Sequence, residues 1–170
     1  AIGIARALEE ATGQRVGIKW PNDLILNEAK LGGILTELQA EQDRLQYVIV
    51  GFGINVNGEA EGLPSGAISL KQAVGHPVNR LPLIRGILEA LERVYGQLQA
   101  QGFASLQPEW RERSTILGHR VKVLSQSRLP GGQARAVVGE AVDIDAEGAL
   151  VLRHETGVQE RFTAGDIILC

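Results

Sequence analysis

Apolar positions change period several times along this chain, and each change marks an element. Ile4, Ala5, Leu8 and Ala11 keep helical spacing as far as Thr12, where Gly13 is a natural terminator, so a first helix should end there. No Ser, Thr, Asp or Asn stands ahead of it to cap its start, as though the helix were already in progress. From Arg15 the period falls to two. Val16, Ile18 and Trp20 share one face and Arg15, Gly17 and Lys19 the other, the pattern of a half-buried strand stopped by Pro21. Because proline disfavours helical geometry in the residue before it, Trp20-Pro21-Asn22-Asp23 should be an extended stretch closing in a polar turn. Residues 24–26 make a short apolar strand, Asn27-Glu28-Ala29 a reversal, and residues 30–39 the return strand of a hairpin. Glu41-Gln42-Asp43-Arg44 turns the chain again, and Tyr47-Val48-Ile49-Val50 reads as a fully buried central strand ending on Gly51.

Residues 57–66 have no periodicity and are rich in turn formers, which predicts a mobile loop. Ser69-Leu70-Lys71-Gln72 has the form of a capping box, opening a short helix closed by Gly75 and barred from continuing by Pro77. Leu83, Ile84, Ile87, Leu88, Leu91, Val94, Tyr95 and Leu98 hold helical spacing, giving a long amphipathic helix over 81–101 that ends at Gly102. A further helix is expected over 103–113, with Trp110 inward. After Gly118 short β-rich runs alternate with Pro130-Gly131-Gly132, Ala146-Glu147-Gly148 and Thr156-Gly157, which predicts about five strands closing a small barrel. The boundary between an α/β body with an antiparallel or mixed sheet and this β module is expected near 117, giving domains 1–117 and 118–170 and an α+β fold class.

Charge and composition narrow the function. Seventeen basic and 20 acidic residues leave a net charge of −3 without a basic stripe, which argues against a broad nucleic-acid footprint. Nothing approaches the ~18 consecutive apolar residues of a membrane span. The single cysteine, Cys170, cannot close an intrachain bridge, which points to a reducing, cytoplasmic setting. His76, His119 and His154 are far apart and lack partners at ligand spacing, so metal binding through histidine is not expected.

The chemistry concentrates in Lys19-Trp20-Pro21-Asn22-Asp23 and in Lys30-Leu31-Gly32-Gly33-Ile34-Leu35. Folded as a hairpin, these put two cations, an amide and a carboxylate around one bend, next to glycines that let backbone approach a ligand. Such a group suits an anionic small molecule. When a carboxylate attacks a phosphate, two anions must meet, and one cation about 4 Å away contributes ~4 kcal/mol at an effective dielectric of about 20. If ~3 kcal/mol of that is felt only in the transition state, the rate gains on the order of a hundredfold. Asn22 and Asp23 also suit a simple polar turn, and Asp23 suits either a magnesium ion on a nucleotide phosphate or the orientation of an attacking amine. Gly51, Gly53 and Asn55 stand at a strand end, where pockets in sheets often form.

The two strings, the second being Gly51-Phe52-Gly53-Ile54-Asn55-Val56-Asn57, resemble the signatures of biotin protein ligases, and the resemblance runs along essentially the whole chain. It implies a class II aminoacyl-tRNA-synthetase-like catalytic domain, present in part, followed by a small C-terminal barrel of the Src-homology-3 type. It implies that Lys30 contacts the biotin carboxylate and the adenylate phosphate, that Gly33, Gly51, Gly53 and Ile54 line the biotin pocket, and that Asn22 and Asn55 face the nucleotide. Lys19 and Asp23 would assist catalysis, with Asp23 a candidate ligand for Mg²⁺. The loop over 58–67 would be the family's ligand-ordered loop. The implied reaction joins biotin to ATP as biotinyl-5′-adenylate, then passes biotin to a lysine of a biotin carboxyl carrier protein. The family's arginine- and glycine-rich loop is not found in the sequence, so part of the active site is expected to lie on a longer chain or a separate piece. The exposed strands expected in the body also suit side-by-side pairing into a homodimer. Two other readings stay open: a lipoate-protein ligase, and a non-catalytic remnant that docks a carrier domain.

Overall fold

The structure, a computed structural model, describes residues 1–41, 44–128 and 134–170. The turn expected around Gln42-Asp43 and the break at Pro130-Gly131-Gly132 lie outside the described residues. The elements form two compact units: Gly3–Ile18 and Asn22–Arg93 with Ala1, and Lys19–Pro21 and Val94–Cys170 with Ile2.

The first unit begins with helix α1 (Ile2–Thr12), ended by Gly13 in the left-handed region at φ 67°, its amide donating to the Glu9 carbonyl. Strands β1 (Gly17–Lys19), β2 (Asp23–Leu26), β3 (Ala29–Glu41) and β4 (Arg44–Ile54) follow, hydrogen-bonded in that order, with β2–β3 and β3–β4 antiparallel. The capping box forms as expected: Ser69 caps α2 (Leu70–Val74), and Gln72 bonds back to the Ser69 amide. Helix α3 (Arg80–Gln101) ends at Gly102, one residue longer at its start than the periodicity suggested. A Cβ on Gly3 would sit 3.2 Å from the Ala90 carbonyl oxygen, so the absence of a side chain is what lets α1 lie against α3. Ile4, Leu8, Val16, Ile18, Leu24, Leu26, Leu31 and Leu70 are buried to 1% exposure or less and form the core under the sheet.

One expectation fails in this unit. Tyr47 to Val50 do not form a buried central strand: among the described residues β4 pairs only with β3, and these four side chains are 44–54% exposed. Their unbroken apolar run reads as two-sided burial, but an edge position leaves both faces uncovered. The loop after Asn57 contains a 3-10 turn, Ala60–Gly62, and at its far end Ala67 bridges to Lys30.

The second unit opens with a 3-10 turn, Phe103–Ser105, and α4 (Gln107–Arg113), where one continuous helix was expected; Trp110 is buried as anticipated. Strands β5 (Arg120–Arg128), β6 (Ala134–Ile144), β7 (Leu150–Arg153), β8 (Gln159–Phe162) and β9 (Asp166–Leu169) pair in the order β8-β7-β6-β5-β9, all antiparallel. No pairing among the described residues joins β8 to β9, so the sheet is not a closed barrel. Strand β8 was not foreseen, because Gln159-Glu160-Arg161 buries little and only Phe162 points inward. Trp20 donates from Nε1 to the Gly148 carbonyl at 3.1 Å, and Gln107 donates to the Ile144 carbonyl, fastening both to this sheet.

Candidate functional site

The β2–β3 hairpin turns on two residues, Asn27 and Glu28, both with positive φ (49° and 63°), the geometry whose twist matches that of the flanking strands. Leu26 then faces Ala29 and Ile25 faces Lys30, but Leu24 faces Gly32, so Leu31 is an extra residue in β3. This bulge decides the site. In an unbroken strand Lys30 and Gly33 would point to opposite faces; the bulge turns both onto the face that carries Asp23 and Ile25, while Leu24, Leu26 and Leu31 go into the core.

On the outer face Lys30 Nζ meets Asp23 Oδ1 at 2.5 Å. A Cβ on Gly33 would lie 3.4 Å from that Asp23 oxygen and 3.7 Å from Lys30 Nζ. Gly33 pairs with Gly53 across β3–β4, and a Cβ on Gly53 would meet nothing within 4 Å. Two glycines side by side therefore leave a flat, open strip of backbone beside an ammonium. Gly51, two residues back on β4, extends the strip opposite Leu35. Asn55 follows: its amide donates to the Leu31 carbonyl at 2.9 Å, and its side-chain nitrogen reaches the Lys30 carbonyl at 3.5 Å. The Lys30 backbone is held from the other side, its amide donating to the Gly66 carbonyl at 2.8 Å and its carbonyl accepting from the Ile68 amide at 3.0 Å.

Magnitudes separate structure from function here. Three fully buried leucines hold the hairpin from beneath, each worth about 2 kcal/mol. An ion pair whose lysine side chain is 52% exposed contributes less than about 1 kcal/mol. The hairpin does not need the Lys30–Asp23 pair in order to fold. What the pair supplies is an ammonium aimed along the sheet by its carboxylate, with N–H donors left for an anion.

The structure thus brings Asp23, Lys30, Gly33, Gly51, Gly53 and Asn55 together. Two residues named from sequence fall elsewhere. Asn22 spends its side-chain amide on the Ile34 carbonyl at 2.8 Å and its own carbonyl on the Ile34 amide at 2.9 Å, which is the work of a turn. Ile54 pairs with Gly32 and so points to the opposite face, where it lines an apolar groove of about 350 Å³ with Phe52, Leu81 and Ile84. Lys19 closes β1, the strand next to β2 in the sheet order. For Mg²⁺ the site offers the Asp23 carboxylate, whose Oδ1 meets the Lys30 ammonium, and nucleotide phosphates would have to supply further oxygens, since among the described residues no cluster of three carboxylate, histidine or cysteine side chains exists. A cavity of about 510 Å³ between α1 and α3, lined by Thr12, His76, Pro77, Gly86 and Glu89 among others, contains none of the signature residues.

Sequence reasoning missed two contributors. Gly32 is a close-approach glycine: a Cβ there would stand 2.2 Å from the Gly53 carbonyl oxygen. Gly66 grips Lys30 through its backbone, and the turn Pro64-Ser65-Gly66, with Gly66 at φ 78°, was the available hint.

Comparison with known proteins points to one family. Residues 1–55 match the model of the Biotin/lipoate A/B protein ligase family, and residues 116–169 match the Biotin protein ligase C terminal domain. The chain is 36% identical over 168 residues to the bifunctional ligase/repressor BirA of Bacillus subtilis, covering 96% of this chain and 50% of that protein. It is 34% identical to the biotin--[acetyl-CoA-carboxylase] ligase of Paracoccus denitrificans, covering 94% and 66%. The biotin protein ligase from Aquifex aeolicus in complex with biotin and ATP superposes with a TM-score of 0.80 at 24% identity, covering 99% of this chain and 68% of that one. The chain belongs to the biotin protein ligase family. It spans about half the length of the BirA relatives it matches. Among the described residues no helix is long and apolar enough to cross a membrane.

Proposed function

We propose that this chain supplies the lysine-bearing part of a biotin protein ligase, which activates biotin with ATP and transfers it to a lysine of a biotin carboxyl carrier protein in the cytoplasm. The observation that carries the reading is the Lys30 ammonium, held by Asp23 beside the open Gly33–Gly53 strip. In the first step a biotin carboxylate oxygen attacks the α-phosphorus of ATP, a P–O bond forms, and the bond to pyrophosphate breaks. Lys30 offsets the negative charge gathering on the acyl phosphate. In the second step a carrier lysine amine attacks the acyl carbon, AMP leaves, and the amine loses its proton. Asp23, already beside the reacting group, orients that amine. Gly33, Gly51 and Gly53 let the bicyclic ring of biotin lie against backbone, and Asn55 offers an amide to the nucleotide. Lys19 is assigned an assisting cation, and Asn22 and Ile54 support the site through its turn and its rear face. Mg²⁺ arriving with ATP would offset phosphate charge, with Asp23 as its candidate carboxylate.

Residues 1–117 are proposed as part of a class II synthetase-like catalytic domain, and 118–170 as a module related to Src-homology-3 barrels. Self-association into a homodimer belongs to the same reading.

Titration with biotinyl-5′-adenylate, followed by calorimetry, tests the proposal. Lys30→Ala should lower affinity about 10- to 100-fold, the equivalent of ~1.4–2.8 kcal/mol, with almost no change in melting temperature. Equal affinity in the two proteins would refute it. The first family model also names lipoate ligases. Tighter binding of lipoyl-adenylate than of biotinyl-adenylate would move the chain to that activity.

A further inference from the structure

The second signature string ends on Asn57, a residue to which neither the resemblance nor the glycine strip gives any work. Its side chain is fully engaged. Asn57 Nδ2 donates to the Val78 carbonyl at 2.9 Å, and Asn57 Oδ1 accepts from the Val78 amide at 2.8 Å. One side-chain amide thus closes on both polar groups of a residue in the linker between α2 and α3, as a neighbouring strand would. The backbone just before Asn57 is pinned as well. The Asn55 amide donates to the Leu31 carbonyl, and the Asn55 and Val56 carbonyls accept from the Leu70 and Lys71 amides, each at 2.9 Å. Leu70 and Lys71 open α2, so their amides have no partner inside the helix, and the chain leaving β4 supplies one. Beyond Asn57, the Gly58 carbonyl accepts from Oγ of the fully buried Ser69 at 2.7 Å.

We infer that Asn57 is a positioning residue: by clamping Val78 it fixes the chain leaving β4, and with it the place from which Asn55 presents its side-chain amide to the nucleotide. The inference rests on the function proposed above and adds to it a residue that touches no ligand. Strand β4 ends at Ile54, so Asn55 has already left the sheet and depends on these later bonds for its place. A purely structural role is the competing explanation, since Val78 stands two residues before α3 begins. The two differ in what they do to binding. An anchor for α3 changes stability alone, whereas a clamp on Asn55 changes the fit of the adenylate and acts only through Asn55.

Calorimetric titration with biotinyl-5′-adenylate, over a double-mutant cycle between Asn57 and Asn55, tests this. Asn55→Ala should raise the dissociation constant about tenfold and Asn57→Ala about three- to tenfold, and the double variant should bind no worse than Asn55→Ala alone. Asn79→Ala removes the side chain that accepts from the Leu81 amide at the start of α3; it should lower the melting temperature and leave affinity unchanged. Where Asn57→Ala folds poorly, Asn57→Asp, which keeps the bond from the Val78 amide, carries the same cycle. Parental affinity in Asn57→Ala or in Asn55→Ala, additive losses in the double variant, or an equal loss in Asn79→Ala overturns the positioning role. Parental affinity in Lys30→Ala, or no binding by the parent, refutes the proposed function itself.

Discussion

The two sheets of this molecule use glycine in opposite ways. In the second sheet Gly139 is closed in: a Cβ there would lie 2.6 Å from the Arg153 carbonyl oxygen and 2.9 Å from Leu152 Cγ. In the first sheet Gly32 is closed in to the same degree, but its neighbours Gly33 and Gly53 have room on the outer face. Charge follows the same division. On and beside the second sheet several cations are held by carboxylates: Arg111 of α4 grips Asp143, Arg135 grips Glu160, and Arg161 bridges Asp145 and Glu147. The first sheet places the half-exposed Lys30 ammonium, paired with Asp23, beside the open glycine strip. One sheet is built for packing, and the other keeps part of its surface unfilled where a ligand can lie.

The contrast can be broken most forcefully in α4, beside the packed sheet. Trp110→Ala should cost ~3–5 kcal/mol in chemical denaturation, because it empties a buried aromatic site. Next comes a pair in the first sheet. Gly32→Ala forces a methyl group into the Gly53 carbonyl and should cost about 1–3 kcal/mol, whereas Gly53→Ala should change stability by less than about 0.5 kcal/mol and yet weaken adenylate binding. If Gly53→Ala binds as tightly as the parent, the open strip is not the ligand's seat. Smaller again is the hairpin tip: Glu28→Gly relieves a non-glycine residue at φ 63° and should raise stability by about 1 kcal/mol, read as a higher melting temperature.

The smallest effect concerns acid. The Arg111 guanidinium, hydrogen-bonded to Asp143, holds that carboxyl below its ordinary 3.8. A carboxyl whose folded value is depressed stabilises the fold above 3.8 and loses that contribution as pH falls through the lowered value. Stability should therefore be insensitive to this pair from neutral pH down to about 5 and decline below 3.8, by less than about 1 kcal/mol. Arg111→Ala should flatten that part of the acid curve in a pH series of melts.

Much of this was legible in local code. Gly13 as a helix terminator, the Ser69–Gln72 cap, the long α3 and the buried Trp110 each depend on neighbours a few residues apart, so sequence suffices. Asp23, Lys30, Gly33, Gly51, Gly53 and Asn55, which the structure groups, all stand in the two signature strings, but their geometry was not legible there. The bulge at Leu31 arises from pairing between strands, and no residue near it announces the extra position; without it, Lys30 and Gly33 could not share a face. The family resemblance put Ile54 with the glycines, whereas alternation along β4 turns its side chain to the other face. The run from Tyr47 to Val50 was misread because hydrophobicity says that a strand wants cover, and only strand order says whether it has any.

The peptide groups of Lys30, bonded to Gly66 on one side and Ile68 on the other, tie the backbone from which the ammonium springs to residues 66–68. Shortening the chain ahead of Gly66 would therefore strain the strand position that carries the lysine without altering a charged residue.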